Sequence, residues 1–121
     1  MKKIIITIDG PAASGKEKIS KYISNKWKLK HLDSGILYRK LALIFSIDKI
    51  DFKNVNQIKK RLYEIKNLSF RKSKRIRTQE ISKIASLIAV HNFVRIFVNK
   101  LQYEFVKKIK IDRVLLLMAE I

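Results

Sequence analysis

Seven residues, Gly10-Pro11-Ala12-Ala13-Ser14-Gly15-Lys16, constrain this chain more than any other feature. They follow Lys3-Ile4-Ile5-Ile6-Thr7-Ile8, a β-branched run without polar alternation. Such a run is the pattern of a strand buried on both faces of a parallel sheet. After the seven residues the pattern turns helical from about Lys16 to Trp27, with Ile19, Tyr22 and Ile23 on one face. Glycine at both ends of the loop lets backbone N–H groups close on an anion with no side chain in the way. The helix start adds unpaired N–H groups and the positive end of its dipole. Lys16 extends toward the outer phosphates of a nucleotide. The expected phosphate cradle is therefore Gly10, Pro11, Ala12, Ala13, Ser14, Gly15 and Lys16, continued by Glu17 and Lys18. One position departs from the usual pattern, which places a hydroxyl residue after the lysine to hold Mg²⁺. Here Glu17 either offers a carboxylate to Mg²⁺ or serves as favourable negative charge on the first helical turn.

The rest of the chain continues the same alternation. A short extended piece at His31-Leu32 leads to Asp33-Ser34-Gly35, a helix start, and Leu37, Leu41, Leu43 and Ile44 form an apolar stripe. An amphipathic helix is expected near Val55 to Ile65, and Arg71-Lys72-Ser73-Lys74-Arg75 as a solvated loop. Thr78 caps a helix carrying Ile81, Ile84, Ala85 and Ile88. A further helix carries Val94, Phe97, Val98, Leu101 and Phe105. Val114 to Met118 reads as another buried strand. Strand, loop, helix, strand, helix is the opening of an open α/β fold with a parallel sheet.

Composition narrows the function without choosing it. A net charge of +18 favours polyanionic partners, nucleotide phosphates or nucleic acid, yet a Lys- and Ile-rich chain also follows from AT-rich coding. Without cysteine there is no disulfide framework and no thiolate metal site. The apolar start is interrupted at Asp9-Gly10 before it reaches signal-peptide length, and no later run approaches a membrane span, so the expected location is the cytoplasm. His91 has no second ligand or nucleophile beside it in the pattern and reads as structural.

Three stretches in order carry a family resemblance. Ile8-Asp9-Gly10-Pro11-Ala12 is similar to the loop entry of cytidylate kinases, I-D-G-P-A-[GA]-S-G-K. His31-Leu32-Asp33-Ser34-Gly35-Ile36-Leu37-Tyr38-Arg39 resembles their L-D-[ST]-G-x-x-Y-R segment. Ile76-Arg77-Thr78-Gln79-Glu80-Ile81-Ser82, Ala85-Ser86, Val94-Arg95 and Leu101-Gln102-Tyr103-Glu104-Phe105 resemble their third stretch. The resemblance implies a three-layer P-loop NTPase fold with about residues 40–80 as the monophosphate-binding subdomain. It further implies phosphorylation of CMP or dCMP by ATP with Mg²⁺, in a monomer with no nucleic-acid or membrane partner. Ser34, Gly35, Tyr38, Ser86 and Arg95 would line the CMP site. Lys16 and Arg39 would act on the transferring phosphate, and Glu17 would be the one metal ligand. Adenylate- or shikimate-type kinases share the first stretch but not the second. A basic nucleic-acid-binding protein, or a non-catalytic nucleotide-binding remnant, is the alternative.

Two regions depart from the family. Residues 67–77 are short and basic where many members carry a hairpin. After about Lys108 the family runs into [DE]-G-R-D-[IM]-G-T and an arginine-rich lid. Here Asp112-Arg113-Val114-Leu115-Leu116-Leu117-Met118-Ala119-Glu120-Ile121 stands instead. With AT-favoured codons, reading from the third base of codon 113 permits a strand followed by D-G-R-D, its glycine forced by Met118-Ala119. The expectation is a frameshifted tail, the C-terminal strands and lid missing, and little kinase activity in the 121 residues themselves. A diverged natural terminus is the alternative.

Overall fold

The computed structural model describes residues 3–10, 14–66 and 68–118. Strand β1 (Ile4–Ile8) leads through the glycine loop into α1 (Lys16–Lys26), and β2 (Lys30–Asp33) runs directly into α2 (Ser34–Ile47). Helices α3 (Val55–Glu64), α4 (Gln79–Ala89) and α5 (Asn92–Lys108) follow, with a short 3-10 turn at Lys74–Ile76. Strand β3 (Arg113–Leu117) closes the order. The three strands form one parallel sheet in the order β1-β3-β2. The last strand thus lies in the middle, Ile8 and Asp33 both standing opposite Leu117.

The alternation of β3 explains the layers. Leu115 and Leu117 pack with Leu29, Ile8 and Ile23 on the α1 side. Val114 and Leu116 pack with Leu32, Val106 and Phe105 on the α5 side. A strand sandwiched this way must be apolar at every position, as Val114 to Leu117 are. The result is the expected α/β three-layer arrangement. The largest apolar cluster, however, is helical: Leu37, Leu41 and Phe45 of α2 meet Ile58 of α3, Ile84 and Ile88 of α4, and Val94 and Val98 of α5.

Helix starts form as the sequence dictates. Asp33 accepts from Gly35 N, Asn54 from Gln57 N and Thr78 Oγ1 from Ile81 N. Residues 71–75 are exposed apart from the half-buried Ser73, and no strand forms among the described residues of 67–77. His91 is structural, stacking on Phe93 at 5.1 Å. No single helix is long and apolar enough to cross a membrane among the described residues.

Two expectations fail. β1 is not buried on both faces: Ile4 to Ile6 are exposed, Ile4 by 51%. β1 pairs only with β3, so it is an edge strand, and among the described residues only Ile8 enters a core cluster. On α1 the buried residues are Ser20 and Ser24, while Ile19 and Tyr22 are exposed and only Ile23 reaches the core. Small hydroxyl residues suit a helix lying close against a strand, because their donors are satisfied locally. Ser20 Oγ bonds Glu17 O and His31 Nε2, and Ser24 Oγ bonds Lys21 O.

Candidate functional site

In a parallel sheet all carboxyl ends lie on one edge, and that edge is where α/β folds hold ligands. Here Gly10 follows β1, Ser34 follows β2 and Met118 follows β3. Lys16 Nζ donates to Met118 O at 2.7 Å, and Ser34 Oγ donates to Leu117 O at 3.1 Å. The carboxyl end of the middle strand thereby ties the first residue of α1 to the first residue of α2.

Gly15 caps α1 with φ +84°, the left-handed region that an L side chain rarely adopts, and its carbonyl accepts the first helical bond from Ile19 N at 3.2 Å. Gly10 is needed less strictly, since a Cβ there would meet Ser14 Oγ at 3.3 Å. Pro11, Ala12 and Ala13 lie outside the described residues. Ser14, Glu17 and Lys18 are exposed around the helix start. Among the described residues no group of three or more His, Cys, Asp or Glu side chains forms a metal cluster. Mg²⁺, though, takes most ligands from water and phosphate and needs only one or two carboxylates, so a lone exposed Glu17 fits it.

The second wall is α2. Gly35 has Arg39 close by: a Cβ on it would meet Asp33 Oδ1 at 3.1 Å and Arg39 Nη1 at 3.4 Å. Tyr38 is buried, and burial pushes its phenol up from the ordinary value while the positive charge of Arg95 draws it partly back. Tyr38 is therefore a protonated donor at neutral pH, and Arg95 of α5 lies near enough to act on it. Ser86 stands apart: it is exposed on α4 and its hydroxyl turns back to Ser82 O at 3.2 Å.

One residue at this edge had no place among the candidates. Gln102, on α5 and 4% exposed, directs Nε2 at Met118 Sδ (3.3 Å) and leaves Oε1 buried without a partner among the described residues. A polar residue among the apolar positions of α5 was the available signal.

A parallel sheet whose first strand enters a helix through a left-handed glycine and a lysine defines an α/β phosphate-loop protein of the nucleotide-binding class. More narrowly, the cytidylate kinase family matches residues 6–114, and the chain belongs to it. It is 37% identical over 110 residues to the bifunctional pantoate ligase/cytidylate kinase of Prochlorococcus marinus subsp. pastoris, covering 79% of this chain and 22% of that protein. It is 30% identical over 121 residues to the cytidylate kinase of Bacillus cereus, covering 88% of this chain and 53% of that one. The chain thus spans about half the length of the Bacillus relative.

Proposed function

We propose that the chain supplies the phosphate loop and the monophosphate-binding wall, about residues 40–80 with the adjoining α2, of an ATP-dependent kinase for CMP and dCMP. The observation that carries this reading is the convergence of Lys16 and Ser34 on the carboxyl end of β3. It sets the phosphate-loop lysine beside the helix that bears Gly35, Tyr38 and Arg39.

In the reaction, an oxygen of the CMP phosphate attacks the γ-phosphorus of ATP as the β–γ bridging P–O bond breaks, giving CDP and ADP. Little covalent work falls to the protein; positioning and charge stabilisation carry the rate. The backbone N–H groups of Ser14 to Lys18 and the Lys16 ammonium hold the donor phosphates. A charged phosphate oxygen is a stronger acceptor than the neutral Met118 carbonyl, so Lys16 transfers to it on binding. Arg39 neutralises the migrating group, and such arginines contribute about 10³–10⁵ in rate in related phosphoryl transfers. Arg95 takes the acceptor phosphate through its forked donors. The protonated Tyr38 hydroxyl donates at the pocket wall beside Ser34 and Gly35, while Ser86 would reach the nucleotide only by turning from Ser82 O. Glu17 would hold Mg²⁺, which when bound would supply neutralisation of the donor charge.

Calorimetric titration with CMP, dCMP and AMP, in the wild type and in Arg95→Ala, tests the reading. Expected are binding of CMP or dCMP in preference to AMP and a loss of at least tenfold in Arg95→Ala. Equal or tighter binding of AMP would refute it. So would steeply salt-dependent RNA binding with no nucleotide affinity.

A further inference from the structure

Helices α3 and α5 leave a groove between them on the side of α5 away from Arg95, with a volume of about 530 Å³. Its floor is apolar, from Leu62 and Ile65 on α3 and its C-terminal end to Phe93, Phe97 and Leu101 on α5. Tyr63 and Ile96 stand at its margin, 87% and 59% exposed. Lys59, Lys66 and Lys100 surround it, with Glu104 the one acidic residue in the lining. None of the residues named above for phosphate or CMP contact lines this groove, although its α3 side falls within the 40–80 segment.

We propose that the groove receives an amphipathic helix of a partner protein, its apolar stripe on the floor and acidic residues along its flanks. Length and shape fit: positions 93–104 of α5 run about 16 Å, enough for about three turns of a docked helix. Charge decides the flanks, because the lining lysines outnumber the single glutamate and the whole chain carries +18. The same charge argues against a second copy of this chain, which would bring like charge to like. A nucleobase is a poorer occupant. The Phe93 ring already stacks on His91 at 5.1 Å and has the Lys59 ammonium 5.1 Å from its centroid, so it offers no free stacking platform. The half-buried Phe93, Phe97 and Leu101 leave apolar surface for a docked stripe to cover, with Tyr63 at its edge.

The probe is a fluorescein-labelled synthetic helix of about 12 residues with leucines at i, i+3, i+4 and i+7 and glutamates on both flanks, followed by anisotropy. The wild-type chain is expected to bind it at least tenfold more tightly than a shuffled peptide of the same composition. Lys59→Glu with Lys100→Glu should weaken binding about tenfold, and a lysine-flanked peptide should regain that factor on the reversed protein. Tyr63→Ser with Ile96→Ser, both at exposed positions, should weaken either peptide. Equal binding of the shuffled peptide, or indifference to both double substitutions, overturns the proposal. So does binding of phosphatidylglycerol vesicles that depends on Lys59 and Lys100 while the peptide fails to bind. CMP titration on the same variants reads the nucleotide site separately, so either proposal can fail alone.

Discussion

Gly15→Ala separates backbone conformation from space at the phosphate loop. A Cβ placed on Gly15 meets nothing within 4 Å among the described residues, so crowding by them contributes no cost. What remains is the left-handed φ of +84°, which costs an L residue about 1–2 kcal/mol. Alanine also restricts the unfolded chain, which returns about 0.4–1 kcal/mol. The net loss is therefore about 0.5–1.5 kcal/mol. With a urea m-value of about 1–3 kcal/mol/M, the unfolding midpoint should fall by about 0.2–1.5 M. Asparagine tolerates the left-handed region, so Gly15→Asn should lose less than Gly15→Ala. Gly10→Ala, facing only the movable Ser14 hydroxyl at 3.3 Å, should also lose less. An unchanged midpoint in Gly15→Ala, or a greater loss in Gly10→Ala, would refute the assignment of the strained position to the helix cap.

Two further substitutions test the surroundings of the site. Burial lowers the His31 pKa from its ordinary value, with Lys72 and Lys21 adding to the effect and Asp33 and Glu17 opposing it. The native state then binds fewer protons than the unfolded chain, so stability falls as pH drops through about 6.5. His31→Gln should flatten the dependence of the urea midpoint between pH 7.5 and 5.5, and an unchanged slope would contradict it. Gln102→Leu removes the buried, unpartnered Oε1 at similar volume, and an unsatisfied group of this kind costs about 1–3 kcal/mol. The variant should melt no lower than the wild type, and a clear drop in thermal midpoint would show that the amide has a partner in solution.

Periodicity made the helical part of this fold legible because its signals are local. Thr78 before Ile81, Ile84, Ala85 and Ile88 specifies both the cap and the buried face of α4, and both form as read. The continuous run Val114 to Leu117 likewise locates the buried middle strand. The failures arise where burial is decided by the partner rather than by the segment. Ile4-Ile5-Ile6 has the same apolar continuity as β3, yet it lies on the edge of the sheet and is exposed. On α1, apolar residues pointed to a face with Ile19 and Tyr22, whereas the close approach of the helix to the sheet selected Ser20 and Ser24. Of the candidate site, Gly15, Lys16, Ser34, Gly35, Tyr38 and Arg95 were legible as residue types at family spacing. Their relation to the end of β3 was not, because that relation is made by a strand some 80 positions away, as the separation of Ser34 from Leu117 shows.

That long closure bears on how the site is held. The large helical core of α2, α3, α4 and α5 does not depend on β1, since none of its residues comes from that strand. The start of α1, by contrast, follows β1, whose Ile4, Ile5 and Ile6 are exposed while only Ile8 reaches a core cluster, and α1 itself buries only serines fully. Among the described residues, the bonds that tie this part to the rest of the molecule include the ladder of Ile4 to Ile8 on β3, the Met118 N–H bond to Ile8 O at 2.9 Å, the Lys16 bond to Met118 O, and the Ser20 bond to His31 of β2. Local stability follows buried apolar contact, so β1, with Ile4 to Ile6 exposed, belongs to the less protected part of the described residues, and α2, which carries Leu37, Leu41 and Phe45 into the core, to the more protected part. The central strand thus holds both the start of α1 and the start of α2, through Met118 O and Leu117 O. A substitution at Met118 leaves its carbonyl for Lys16 and changes only the sulfur that Gln102 Nε2 meets.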